Sequence, residues 1–150
     1  MKKVVVYQTN TASAVDILFG LEDFLYTNNI NAKEFKIKVI SGDDSEAFED
    51  ALEIVDYLGV KKLVKHNALN KNQKNFNKDL NYFLSLLTQE RYNIIFLVTY
   101  YNQINQLSKL IANNFKKKQE VNLKTMPGSI ISIDLEKEDI RVYNPNSILN

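Results

Sequence analysis

Two short, wholly apolar runs constrain this chain more than anything else in it: Val4-Val5-Val6 just after the start, and Ile94-Ile95-Phe96-Leu97-Val98 past the middle. Neither alternates with polar residues, so each reads as a strand covered on both faces, the condition of a parallel strand between helical layers. Each is followed at once by polar side chains, Tyr7-Gln8-Thr9-Asn10 and Thr99-Tyr100-Tyr101-Asn102. Ligands of open α/β sheets sit outside the carboxyl ends of the strands. Whatever this protein binds is therefore expected to meet Tyr7, Gln8, Thr9 and Asn10.

The intervening sequence supplies the helices. Ser13-Ala14-Val15-Asp16 has the spacing of a capping box, and Ile17, Leu21, Phe24 and Leu25 then recur at helical intervals as far as Asn28-Asn29. Phe35, Ile37 and Val39 alternate with lysines and lead through Ile40 into Ser41-Gly42-Asp43-Asp44, a strand and its turn. A second helix is predicted from Ser45 to Leu58, with Phe48, Ala51, Leu52 and Val55 on its inner face and Gly59 as its stop. Val60 to Val64 reads as a short edge strand, and Lys65 to Lys78 as a polar loop. Leu80, Phe83, Leu84 and Leu87 mark a third helix; Ile104, Leu107, Ile111 and Phe115 mark a fourth, closed by Lys116-Lys117-Lys118. After Pro127-Gly128, Ile131 to Leu135 and Ile140 to Tyr143 form a C-terminal hairpin. Strands alternating with helices and ending in a hairpin predict an α/β three-layer sandwich, its sheet mostly parallel with an antiparallel edge.

Composition closes off several function classes. A length of 150 residues suits a single domain over 1–150, and a net charge of +1 supplies no bulk attraction for nucleic acid or an anionic membrane. The absence of cysteine removes disulfides, thiolate catalysis and cysteine-ligated metals. No stretch has the length of a membrane span and the start lacks a signal-peptide pattern, so a cytoplasmic location is expected.

Four segments together resemble the histidine phosphatase superfamily, with its phosphoglycerate-mutase-like fold, and within it the small SixA-type phosphohistidine phosphatases. The first strand with Tyr7-Gln8-Thr9-Asn10 is similar to the segment bearing that family's Arg-His-Gly motif. Ile40 to Ala47 and the helix to Gly59 resemble its second strand, turn and arginine-bearing helix, and Ile95 to Tyr100 the strand that delivers its second histidine. Pro127 to Tyr143 is similar to the SixA-type terminal hairpin. The resemblance implies a nucleophilic histidine, with a second histidine and arginines around the phosphoryl oxygens. Carried over by position, Gln8 and Thr9 replace the Arg-His pair, or Tyr7 and Gln8 in a register shifted by one. Ser45 or Glu46 falls at the helix arginine, and Tyr100 at the second histidine.

The chain holds one histidine, His66, and two arginines, Arg91 and Arg141, so no alignment register restores that set. Arg91 precedes its strand and is expected at the opposite edge of the sheet. Loss of a nucleophile can lower turnover roughly 10⁶-fold in enzymes that depend on one. Asp43, Asp44 and Glu46 lie where like charge opposes a phosphate. The expectation is a SixA-like protein without catalysis, acting as a binding or regulatory module for a protein partner or small polar ligand. Its binding residues are Tyr7, Gln8, Thr9, Asn10, Ser45, Glu46, Thr99 and Tyr100, and no cofactor or metal is implied. Two alternatives stay open: a phosphatase with Thr9 or Tyr100 as nucleophile, for which no activating base is evident in the sequence, and a structural oligomer subunit. His66 is expected to be a solvated loop residue, and the lysine runs solvated surface rather than an RNA site.

Overall fold

The computed structural model describes residues 1–9, 14–71, 73, 76–89 and 91–145. Its six-stranded sheet comprises β1 (Lys3–Gln8), β2 (Ile37–Ser41), β3 (Leu63–Lys65), β4 (Ile94–Thr99), β5 (Ile130–Asp134) and β6 (Asp139–Tyr143), in the spatial order β3-β2-β4-β1-β5-β6. β3, β2, β4 and β1 run parallel, while β5 is antiparallel to β1 and β6 to β5. The helices are α1 (Ala14–Thr27), α2 (Ser45–Leu58), α3 (Phe76–Thr88) and α4 (Tyr101–Asn113).

The two apolar runs occupy the centre. β4 is buried at all six positions between β2 and β1, and β1 is buried from Val4 onward. Side chains alternate across a strand, and here the alternation sorts two cores. Val4, Val6, Ile95 and Leu97 pack with α3 and α4; Val5, Tyr7, Phe96 and Val98 pack with α1 and α2. The three-layer sandwich with an antiparallel edge is therefore observed as expected.

Two local readings need correction. The inner stripe of α2 is Ala47, Ala51, Ile54 and Leu58, with Asp50 among them, whereas Leu52 stands 46% exposed. Phe48, Leu52 and Val55 form the adjacent stripe at helical spacing, turned partly to solvent. The segment from Lys65 is also more than a polar loop. A single 3₁₀ turn over Asn67–Leu69 buries Ala68 and Leu69 in the α3/α4 core. His66 caps that turn, its Nδ1 accepting from the Ala68 N–H at 3.1 Å, and its ring packs on Tyr82 and Phe83. Its Nε2 lies 3.9 Å from an Asp79 oxygen. It is a half-buried packing residue rather than a solvated one.

Candidate functional site: the carboxyl edge of the sheet

The parallel strands deliver Gln8 and Thr9 from β1, Ser41 and Gly42 from β2 and Thr99 and Tyr100 from β4 to one edge. Backbone bonds fix them: the Thr9 N–H donates to the Thr99 carbonyl at 2.7 Å, and the Gly42 N–H to the Val98 carbonyl at 3.3 Å. Gly42 is required by proximity. A Cβ there would stand 2.7 Å from the Leu69 carbonyl oxygen, so the 3₁₀ turn can close over the end of β2 only against a bare backbone. Thr99 fastens the same turn, its Oγ1 donating to the Leu69 carbonyl at 2.6 Å.

At the β1 end, Gln8 is buried and faces the Thr125–Ser129 segment. Thr125 Oγ1 donates to Gln8 Oε1 at 2.6 Å, and the Gln8 backbone exchanges bonds of 2.9 Å with Gly128 and Ser129. Thr9 turns the other way. Its Oγ1 donates to Asp50 Oδ2 at 2.6 Å, and both residues are buried. The first turn of α2 lies beside this pair. Asp43 takes the Asn70 side chain and in return has its own N–H bound by Asn70 Oδ1 at 2.6 Å; Asp44 Oδ2 accepts from the Lys71 N–H at 3.3 Å. Tyr100 stands beside Asp44 in the field of its carboxylate, and the Lys71 ammonium lies 5.8 Å from the centre of its ring.

The electrostatic character follows from these carboxylates. Tyr100 is pushed up to about 12, first by burial and then by Asp44 and Glu46. Tyr7, buried behind the edge, is raised further by burial, Asp50 and Asp16. Both phenols therefore stay protonated donors at neutral pH, and neither is a ready nucleophile. No cluster of three or more histidine, aspartate or glutamate side chains with metal-binding geometry occurs among the described residues.

The expected site residues are thus dispersed over three roles. Tyr7, Gln8, Thr9, Thr99 and Tyr100 do gather at the edge, but Gln8, Thr9 and Thr99 have side chains engaged with their own chain. Ser45 and Glu46 open α2 beside them, Ser45 exposed. Asn10 lies outside the described residues. Asp50 was not among the expected residues, although a carboxylate three residues after Ala47 and four before Ile54 sits in the middle of an apolar stripe, a recognisable signal. It also supplies a base beside Thr9, which the sequence did not reveal. The arginines are elsewhere. Arg91 helps to line an open groove of about 580 Å³ at the amino edge of the sheet, with Lys36, Lys61 and Tyr92. Arg141 sits on the outermost strand, paired with Asp139 at 2.7 Å.

No family model matches the sequence, and no curated protein matches it. Solved structures do match. The protein histidine phosphatase SixA complexed with tungstate superposes with a TM-score of 0.63 at 12% identity, over 94% of this chain and 94% of that one. A mycobacterial glucosyl-3-phosphoglycerate phosphatase complexed with VO3 gives 0.63 at 11% identity, over 97% and 100%. Phosphoglycerate mutase from Plasmodium falciparum gives 0.60 at 17% identity, over 95% and 88%. The likeness extends over nearly the whole of each chain, and the protein has the phosphoglycerate-mutase-like fold.

Proposed function

We propose that this protein is a histidine-phosphatase-fold binding module that has given up phosphoryl transfer and recognises a hydrogen-bonding, uncharged or cationic group at the carboxyl edge of its sheet. The observation that carries the reading is the buried bond from Thr9 Oγ1 to Asp50 Oδ2. A phosphoryl site needs cations converging on the transferring oxygens. Here carboxylates from α2 reach that place, and both arginines lie away from it. The N-terminal amides of α2 are a potential anion site, but Asp44 and Glu46 are already placed there, with the backbone dipole in their favour. The Tyr100 phenol and the carboxylates Asp44 and Glu46, with the buried Asp50 behind them, suit a neutral polar or cationic group, such as a lysine or arginine side chain of a partner protein.

The same Thr9–Asp50 bond favours one other reading. In it Asp50 takes the proton of Thr9 Oγ1 as that oxygen attacks phosphorus, the leaving atom (imidazole nitrogen of phosphohistidine or phenolate oxygen of p-nitrophenyl phosphate) departs with its bonding pair, and water then hydrolyses the phosphothreonine to threonine and phosphate. This reading lacks compensation for the charge of the transferring group. One assay separates the two: incubation with a phosphohistidine peptide and with p-nitrophenyl phosphate across pH, alongside amide-shift titration with tungstate and with arginine. The binding module predicts no turnover and arginine-dependent shifts around Thr9, Thr99 and Tyr100. Turnover that disappears in Thr9→Val and Asp50→Asn overturns it in favour of the enzyme.

A further inference from the structure

Helix α1 carries apolar side chains on two opposite faces. Its inner face, Ile17, Leu21 and Phe24, is buried against the sheet. Yet Val15, Phe19 and Tyr26 are 59%, 66% and 85% exposed. With 3.6 residues per turn these three fall within about 40° of one another, on the line of the helix opposite the buried face. That line is the part of α1 farthest from the sheet. Exposed aromatic side chains gathered on one line are characteristic of binding surfaces.

The charge around the stripe identifies the cover. α1 carries Asp16, Glu22 and Asp23; α2, packed beside it, carries five further carboxylates; neither helix contains a lysine or arginine. The net charge of +1 for the whole chain shows how far the signs are segregated. Glu22 and Asp23 flank the apolar line on its two sides at helical spacing. A second copy docked symmetrically through α1 would set these carboxylates against themselves, and an anionic membrane would be repelled.

We propose that the outer face of α1 is a docking surface for a protein partner presenting an apolar helical stripe flanked by lysine or arginine. The surface is distinct from the carboxyl edge and stands whether or not the function assigned there holds.

A synthetic amphipathic helix with a leucine stripe bordered by lysines serves as the probe, followed by fluorescence anisotropy and by amide shifts of the full chain. Saturable binding with shifts centred on residues 14–27 is expected. Phe19→Ser with Tyr26→Ser should weaken it by about tenfold or more; both positions are solvent-facing, so the fold is preserved. Glu22→Lys with Asp23→Lys should reject the lysine peptide and accept its glutamate counterpart. Absence of saturable binding, indifference to the double serine variant, or shifts centred elsewhere overturns the proposal. A concentration-dependent dimer abolished by the serine variant assigns the face to a second copy, and binding to zwitterionic vesicles assigns it to lipid; either result also overturns it.

Discussion

The two ends of the parallel sheet differ in charge, acids prevailing at one and bases at the other, although Lys71 stands beside Tyr100 on the acidic side. At the carboxyl edge, Asp44, Glu46 and Asp50 of α2 surround the strand ends; at the amino edge, Lys36, Lys61 and Arg91 rim an open groove. The difference tracks the backbone. α2 and α4 begin at the carboxyl edge, where helix dipoles are positive, while α2 and α3 end near the groove at Leu58 and Thr88, where they are negative. At α2 acids stand at the positive end, and bases lie just beyond the negative ends, whereas α4 opens without an acid in its first turn. A phosphate-transfer site needs the reverse at the carboxyl edge, with cations added to the positive dipoles until an anion is welcome. At α2 the acids already occupy the positive end of the dipole, at the edge where a phosphoryl site would leave it open to an anion.

The strongest way to break that comparison is to remove the buried hydrogen bond at the carboxyl edge. Thr9→Val leaves Asp50 without the hydroxyl at 2.6 Å. Loss of a hydrogen bond to a buried carboxylate costs about 1.5–3 kcal/mol, to be read as a drop in denaturant midpoint at constant slope. An unchanged midpoint would mean that Asp50 is held by its other neighbours and that the Thr9 contact is incidental. Gly42→Ala probes the same edge through sterics. The new methyl must displace the Leu69 carbonyl from 2.7 Å and with it the bond from Thr99. Overpacking of this kind costs about 1–3 kcal/mol, and the amide of Asn70 should lose exchange protection along with it.

The carboxylates can be sensed optically through Tyr100. Its ordinary value is 10.0 and the folded protein holds it at about 12. Below pH 10 the phenol is protonated in both folded and unfolded chains, so it contributes no slope. Between these two values only the unfolded chain releases the proton, and stability falls as pH rises through the window. Tyr7, shifted in the same direction by burial and Asp50, steepens the fall. Tyrosinate absorbance should therefore show a fraction that appears only near unfolding. Tyr100→Phe should flatten the alkaline loss of melting temperature, and Asp44→Asn should let Tyr100 ionise earlier. If Asp44→Asn leaves the titration in place, burial alone sets the shift and the carboxylates are too well solvated to matter.

The fold was legible because its strongest signals are local. Ile94 to Val98 and Val4 to Val6 announce strands with two covered faces, and Pro127-Gly128 with the following alternation announces the hairpin. The site was legible only in outline. Strand ends could be placed by counting, but the bonds that consume Gln8 and Thr99 come from Thr125 and Leu69, which are 117 and 30 residues away in sequence. No local pattern encodes such pairings. Asp50 is a different case: it is visible as a carboxylate inside a helical stripe, and reading Phe48, Ala51, Leu52 and Val55 as the inner face, of which only Ala51 lies on the buried stripe, hides it. His66 was misjudged because Asn and Lys neighbours suggested solvent, while its packing partners Tyr82 and Phe83 belong to α3.

The smallest expected effect sharpens the comparison from the other end. Arg91 is exposed, three residues past the end of α3, in a groove that already holds Lys36 and Lys61. If its role is to offset a helix dipole, Arg91→Ala should lower stability by no more than about 0.3–1 kcal/mol at low ionic strength. The difference should vanish in molar salt, where the screening length shrinks to about 3 Å. A salt-resistant loss would require a bound or buried partner for the guanidinium. A gain in stability would show that three neighbouring cations repel one another more than the helix ends attract them, and the groove would then be a place where stability is given up to keep positive charge. Proteins retain destabilising charge where it binds something. Such a gain would move the anion-binding end of this molecule to the amino edge, opposite to where its fold would lead one to look.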